Sequence, residues 1–270
     1  MVMSPTAHLP QQFYFIVLFA GIREALAEHG LAMTVLTPKG YDPMSMEAAF
    51  PAAEHVDGAI IVGLRGNESL PTRFLERRAP AVIQGPTAWE NLSNVDCDNR
   101  RGAQVATEHL ISLGRRKVAT IAGFLDLSPS VARLAGYRDA IVQSGRQLDP
   151  TLEEVGDHVA GRAHMAMERL LLNHPDIDAV FVASPEMAIG ALEVLAVARK
   201  RVPEDIAVIC YDDPAFVSEA NPPLSAMRQP VKEMGRQSVN ILLREIADPT
   251  LAPTHMLLVP DLMVRASTGG

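Results

Sequence analysis

Residues 202–235 read VPEDIAVICYDDPAFVSEANPPLSAMRQPVKEMG. Within them Ile206-Ala207-Val208-Ile209-Cys210-Tyr211 is a short, almost wholly apolar run. A run of that length and character fits a strand covered on both faces, as in a parallel sheet flanked by helices. Asp212 and Asp213 follow at its carboxyl end, and in open α/β sheets ligands bind just outside that end. Asp212 is therefore a candidate ligand group. The alternative is that Asp212-Asp213-Pro214 merely turns the chain, since Asp and Pro favour turns on their own chemistry. Pro222-Pro223 mark a loop, and a helix begins at Pro230 and runs to Ile246.

Working outward, the same alternation recurs on both sides. Val2-Met3 reads as the tail of a strand, followed by a loop over 4–12. Phe13 to Gly21 is apolar enough to resemble a signal-peptide core, but the first basic residue is Arg23. The pattern continues through Ile22, Ala25 and Leu26, with Arg23, Glu24 and Glu28 opposite, to His29-Gly30, so an amphipathic helix with a glycine stop is expected. Strands are expected at 32–37, 56–62, 80–84, 95–97 and 118–122, with helices at 45–54, 70–78 and 101–113. A second series then follows: helix 130–144, a short strand at Glu154-Val155, helix 161–173, strand 179–183, and a helix from Ser184-Pro185 to Lys200. The strand of the opening stretch comes next, and Met256 to Val259 is a last one. Alternating strand and helix give an α/β class with doubly wound parallel sheets. Two successive series imply two similar Rossmann-like subdomains.

Composition narrows the function. The 270 residues are 48% hydrophobic, enough for a sizeable core. The formal net charge is -8, and the basic clusters are short and lie where helices begin or end, the last two (Arg115-Arg116-Lys117 and Arg199-Lys200-Arg201) near carboxyl ends, where cations are favoured. Binding nucleic acid needs a concentrated basic face, which this chain lacks. Cys97 and Cys210 sit in or beside apolar runs and read as buried free thiols of a reducing compartment. No CxxC or His-rich spacing points to zinc, no stretch is long enough to span a membrane, and no cofactor is implied.

Several segments together resemble the effector-binding core of the LacI/GalR family of bacterial transcription regulators. They include 21–30 (GIREALAEHG), 56–61 (VDGAII), 98–103 (DNRRGA), 106–111 (ATEHLI), 133–137 (RLAGY), 187–192 (MAIGAL) and 202–208 (VPEDIAV). Tyr211-Asp212-Asp213, Arg228-Gln229-Pro230 and the closing 262–268 (LMVRAST) complete the set. The resemblance lies in their shared order over almost the whole chain. It implies a periplasmic-binding-protein-like fold of type I, with two subdomains joined by three crossovers and a small molecule, sugar or sugar-like, in the cleft. With crossings placed near Gly123, Gln229 and Asp248, the expected subdomains are 1–123 plus 230–248 and 124–229 plus 249–270. It further implies a cytoplasmic homodimer whose effector adjusts operator binding. Operator DNA would be contacted only through amino-terminal helix-turn-helix heads, and this sequence holds none. Departures gather around the expected cleft: Gln12-Phe13 where Asn-Pro is usual, Ser184-Pro185 where a polar-Asp pair is usual, Cys210 for glycine, and Ser225-Ala226 for Thr-Thr. They bear on which effector is bound more than on the fold.

Under that resemblance Asp212 and Arg133 are the leading ligand groups. A carboxylate accepts from sugar hydroxyls and a guanidinium donates to them, both with charge-assisted strength. Arg133 reads as lying in the first turn of the helix behind Ser128-Pro129-Ser130. Asp98 is a ligand group or a helix cap, Tyr14 and Phe15 stack on a sugar face or pack in the core, and Ser128 and Ser184 are further candidates. Trp89 and Phe216 are weaker ones, and Asp213 reads as structural. Among other functions, a periplasmic sugar-binding protein of a transport system shares fold and ligand class. An enzyme lacks support: Asp212 and Asp213 point to different faces, and no Gly-x-Ser-x-Gly, phosphate loop or Gly-x-Gly-x-x-Gly is present.

Overall fold

In the computed structural model, the described residues are 2–3, 13–36, 56–64 and 70–270. Contacts divide the chain into two compact units: Met1–Cys97 with Pro230–Leu258, and Asp98–Gln229 with Val259–Gly270.

The first unit holds strands β1 (Val2–Met3), β2 (Ala59–Val62), β3 (Ala81–Gln84), β4 (Ser93–Cys97) and β10 (His255–Leu258). They lie in the order β1-β2-β3-β4-β10, and every pairing is parallel. β2 and β3 are buried along their whole length, as continuous apolar runs between helical layers require. Helix α1 (Phe13–Glu28) buries Phe15, Leu18, Ile22 and Ala25 along one stripe. That stripe packs with Val231, Met234 and Val239 of helix α8 (Val231–Ala247) and with Ile60, Val82 and Val95 of the sheet. Gly30 ends α1 at φ 67°, with Leu31 N–H returned to the Leu26 carbonyl, the expected glycine stop. A short helix, α2 (Leu70–Glu76), sits on a smaller cluster with Ile61, Ile83 and Leu92.

The second unit is built on β5 (Val118–Ala122), β6 (Glu153–Val155), β7 (Ala179–Val182), β8 (Ala207–Tyr211), β9 (Ser225–Arg228) and β11 (Asp261–Met263). Their order is β11-β9-β8-β7-β5-β6. All pairings are parallel except β9 with β11. Side chains of β8 alternate between two cores. Ala207, Ile209 and Tyr211 face helices α3 (Asn99–Ser112) and α4 (Ser128–Gln143). Val208 and Cys210 face α5 (Ala160–Asn173) and α6 (Pro185–Val197). Helix α3 packs closely on α4 because residue 136 is glycine: a Cβ there would lie 2.0 Å from the Arg100 carbonyl oxygen.

Several expectations change. The first division falls between Cys97 and Asp98 rather than near Gly123, because α3 packs against α4 and β5 is bonded between β6 and β7. The last falls after Leu258 rather than at Asp248, because β10 pairs with β4. Residues 31–35 form no strand and Leu36 makes only an isolated bridge; the expected loop at 4–12, helix at 45–54 and Thr37 lie outside the described residues. β9, β11 and the one-turn helix α7 (Ala215–Ser218) were not foreseen.

Gly136→Ala should lower stability by about 1–3 kcal/mol, the usual cost of overpacking, seen as a lower urea midpoint with unchanged slope. Gly161→Ala, where an added Cβ meets nothing within 4 Å in α5, should be neutral or stabilising by up to about 1 kcal/mol.

Candidate functional site

The polar groups that converge in the second unit lie at the carboxyl ends of β5, β7 and β8 and at the starts of α3, α4 and α6. Strand order reverses between β5 and β7, since β6 lies on one side of β5 and β7 on the other. A crevice at such a switch point is the standard ligand seat of an open α/β sheet.

Arg133 is its centre. The side chain is 7% exposed, so its charge must be met internally. Nε donates to Asn99 Oδ1 at 2.8 Å and Nη1 to the Ala183 carbonyl at 2.8 Å. The guanidinium carbon lies 3.8 Å from the ring centroid of Tyr211, a cation–π seat. Tyr211 is itself buried edge-on to Phe181. Asp212 Oδ2 stands 3.6 Å from Arg133 Nη1.

Asp212 has φ 73°, a left-handed conformation that few residues other than glycine adopt. Its N–H is held by the Met227 carbonyl, and its Oδ1 accepts from Gln229 Nε2 at 2.6 Å. Two known partners leave acceptor capacity on a carboxylate with about four lone-pair positions. Asp is among the residues that tolerate this conformation, and here it sets the carboxylate at the strand end beside the buried guanidinium. Asp213 takes the other role. Burial alone would raise its carboxyl, but hydrogen bonds from Arg265 and Arg228 hold it below the usual range.

The remaining expected residues separate. Ser184 is buried as the cap of α6, accepting from Met187 N–H at 3.4 Å with Pro185 behind it. It thus shares the strand-end region with Arg133, whose Nη1 holds the preceding carbonyl. Asp98 caps α3 by accepting from Arg101 N–H at 2.9 Å, and it belongs to the second unit rather than the first. Ser128 is exposed at the first residue of α4 and makes no side-chain cap. Tyr14 and Phe15 belong to the first unit. Phe15 is buried against Tyr14 and Phe19, while Tyr14 is half-buried at the edge of that core. Trp89 is also in the first unit, with its Nε1 donating to Thr72 Oγ1, and Phe216 is exposed on α7.

Asn99, Tyr211, Gln229, Glu186 and His158 were not picked out from the sequence. His158, at φ 53° in the turn after Gly156, bonds through Nε2 to Ser130 Oγ at 3.0 Å and packs on Phe124. A Cβ on Gly123 would fall 2.1 Å from His158 Nε2, so glycine there makes room for the ring. Burial first, then the charge of Arg133, lowers His158 to about 3, leaving it neutral. Glu186 is half-buried in the first turn of α6. Burial raises its carboxyl, its own backbone N–H opposes this, and the Asp212 charge raises it further.

Two doubly wound units, one with a charged strand-end face, define a ligand-binding domain of the periplasmic-binding-protein class. The family model described as the periplasmic binding protein-like domain matches residues 107–268. The chain is 37% identical to the HTH-type transcriptional regulator CelR of Thermobifida fusca over 257 residues, covering 94% of this chain and 76% of that protein. It is 32% identical to the ribose operon repressor of Escherichia coli over 260 residues, 94% of this chain and 78% of the repressor. A solved CelR–cellobiose complex superposes with a TM-score of 0.91 at 37% identity, covering 98% of this chain and 83% of that one. The chain therefore belongs to the periplasmic-binding-protein-like domains, within the LacI family of transcriptional regulators. These relatives are regulators, not enzymes, and they do not favour the transport-protein alternative.

His158 also fixes a pH dependence. Its folded pKa lies below the ordinary value, so the folded state binds fewer protons than the unfolded chain. Stability is then full above about pH 6.5 and is lost as pH falls towards about 3. Between pH 7 and pH 5 the wild type should lose about 1–2 kcal/mol more than His158→Gln in urea titrations; equal losses would show that His158 is not held neutral.

Proposed function

We propose that this chain is the effector-sensing domain of a LacI-type regulator whose effector is a sugar seated at the Arg133–Asp212 pair. The carrying observation is the buried Arg133 guanidinium, fixed by Asn99, the Ala183 carbonyl and Tyr211, with Asp212 turned towards it by a left-handed backbone. Such a pair offers rigid donors and acceptors to vicinal hydroxyls, and the relatives named for cellobiose and ribose favour a carbohydrate. Ser184 and Asp98 serve mainly as helix caps beside the seat. Of the two aromatics, half-buried Tyr14 is a better stacking candidate than buried Phe15, and Ser128 is left as an exposed, peripheral contact.

The effector acts by population shift, so its leverage equals its differential affinity for the conformations it distinguishes. Gln229 is a natural coupling residue: its carboxamide holds Asp212, and the chain leaves the second unit immediately after it. In this reading the regulator is a cytoplasmic homodimer, and operator contact is made by a helix-turn-helix head rather than by this domain.

Calorimetry with cellobiose, ribose and other neutral sugars tests the reading. For the sugar that binds, Asp212→Asn should weaken affinity by about 10²–10³-fold, the loss of one or two charge-assisted hydrogen bonds. Arg133→Lys should weaken it at least tenfold, since an ammonium cannot reproduce the fork. Unchanged affinity in Asp212→Asn would remove Asp212 from the seat. Light scattering showing a monomer at micromolar concentration would remove the dimer.

A further inference from the structure

We propose that the three places where the chain passes between the units are each fastened to the Arg133–Asp212 pair, so that occupancy of the seat is passed to all three together. This rests on the seat assigned above and adds how its state leaves the second unit, with Asn99, Gln229 and Pro260 as positioning residues.

The crossings fall after Cys97, Gln229 and Leu258. Asn99 is the second residue beyond the first crossing, and its Oδ1 accepts from Arg133 Nε at 2.8 Å. Asp98 caps the same turn by accepting from Arg101 N–H, so the start of α3 is fixed where it meets the guanidinium. Gln229 is the last residue before the second crossing, and its Nε2 donates to Asp212 Oδ1 at 2.6 Å. On the same strand the Met227 carbonyl accepts from Asp212 N–H. Pro260 is the second residue beyond the third crossing and is buried. It reaches the pair by way of Tyr211. A Cβ on Gly102 would fall 2.7 Å from Pro260 Cγ and 2.4 Å from the Tyr211 hydroxyl oxygen, so both side chains press on the same glycine of α3. The Tyr211 ring in turn seats Arg133, whose Cζ is 3.8 Å from its centroid.

Every one of these contacts lies within the second unit, and all of them meet at one pair, with Arg133 Nη1 and Asp212 Oδ2 3.6 Å apart. A buried charge tolerates little loss of its partners. A hydroxyl that binds Arg133 or Asp212 therefore draws on the same groups that hold Asn99 and Gln229, and hydrogen bonds sharing an ion polarise one another. Coupling through a protein runs along contiguous contacts. Here the paths are short: Asn99 and Gln229 touch the pair directly, and the path from Pro260 passes only Gly102 and Tyr211.

The test follows amide hydrogen exchange over 97–103, 226–232 and 258–263, first in the ligand-free chain. In Asn99→Ala, exchange should quicken about fivefold or more in 226–232 and 258–263 as well as in its own segment. Asn99→Asp, which keeps an acceptor for Arg133 Nε, should restore the wild-type rates. Gln229→Met should be felt in 97–103 and 258–263 in the same way, and it carries the comparison should Asn99→Ala melt below the assay temperature. Gly190→Ala overpacks α6, where a Cβ would lie 2.2 Å from the Ala160 carbonyl oxygen, on the opposite face of the sheet from α3 and α4. It should leave all three crossings at wild-type rates. Changes confined to the substituted segment, or the same changes in Gly190→Ala, overturn the inference. Cellobiose, ribose and other neutral sugars are then added. The one that binds should slow exchange about fivefold or more at all three crossings; binding that slows fewer overturns the inference and leaves the sugar-sensing reading intact. Absence of binding by any sugar removes the sugar-sensing reading alone, since the ligand-free comparison still decides the coupling.

Discussion

The second unit depends on satisfying one buried guanidinium. Taking a charge out of water costs several kcal/mol unless hydrogen bonds and a counter-charge replace its hydration. Arg133 receives these from three separate chain segments: the start of α3, the end of β7 and the end of β8. Those segments come together because β7 and β8 are neighbours in a fully buried parallel sheet and because Gly136 lets α4 approach α3. Removing any one partner would leave the buried guanidinium less well compensated, so Asn99 and Tyr211 contribute alongside Asp212.

The Asp212-Asp213 pair shows how one dipeptide divides two duties. Asp213 is locked by Arg228 and Arg265, tying the end of β8 to β9 and to the carboxyl-terminal segment. That lock fixes the backbone from which Asp212 turns into its left-handed conformation. Asp212 can then keep acceptor capacity because its neighbour, not itself, holds the strand end. Cys210, fully buried between them and the α5–α6 core, adds volume without a competing charge.

The fold was legible because it is written locally. Apolar runs such as Ala179 to Val182 and Ala207 to Tyr211, each followed by a turn and a helix, carry their structure in a few residues. The divisions between units were less so: Cys97-Asp98 looks like any strand-to-helix turn, and only the packing of α3 on α4 assigns it. β9 and β11 are short, and their pairing partners are distant. At the candidate site, Asp212 stood out by its place at a strand end, and Arg133 through the family resemblance of 133–137 (RLAGY). Asn99, 34 residues before Arg133, and Gln229, 17 residues beyond Asp212, did not. A side chain's partner is a long-range fact that periodicity does not encode. His158 left a faint mark in Gly156-Asp157-His158, a turn with two consecutive left-handed non-glycine residues.

Both units are assembled from segments far apart in the chain. The first needs α8 to cover α1 and β10 to pair with β4, and the second needs Val259–Gly270, whose Ser267 donates to the Val208 carbonyl and accepts from Ser225 N–H. During synthesis, then, the first unit cannot close until the ribosome has passed the whole 98–229 segment of the second, and the second cannot close until 230–258 of the first has been made. The apolar stripe of Phe15, Leu18 and Ile22 waits through some two hundred residues for its cover, an interval in which such surfaces are open to misassociation and to chaperones.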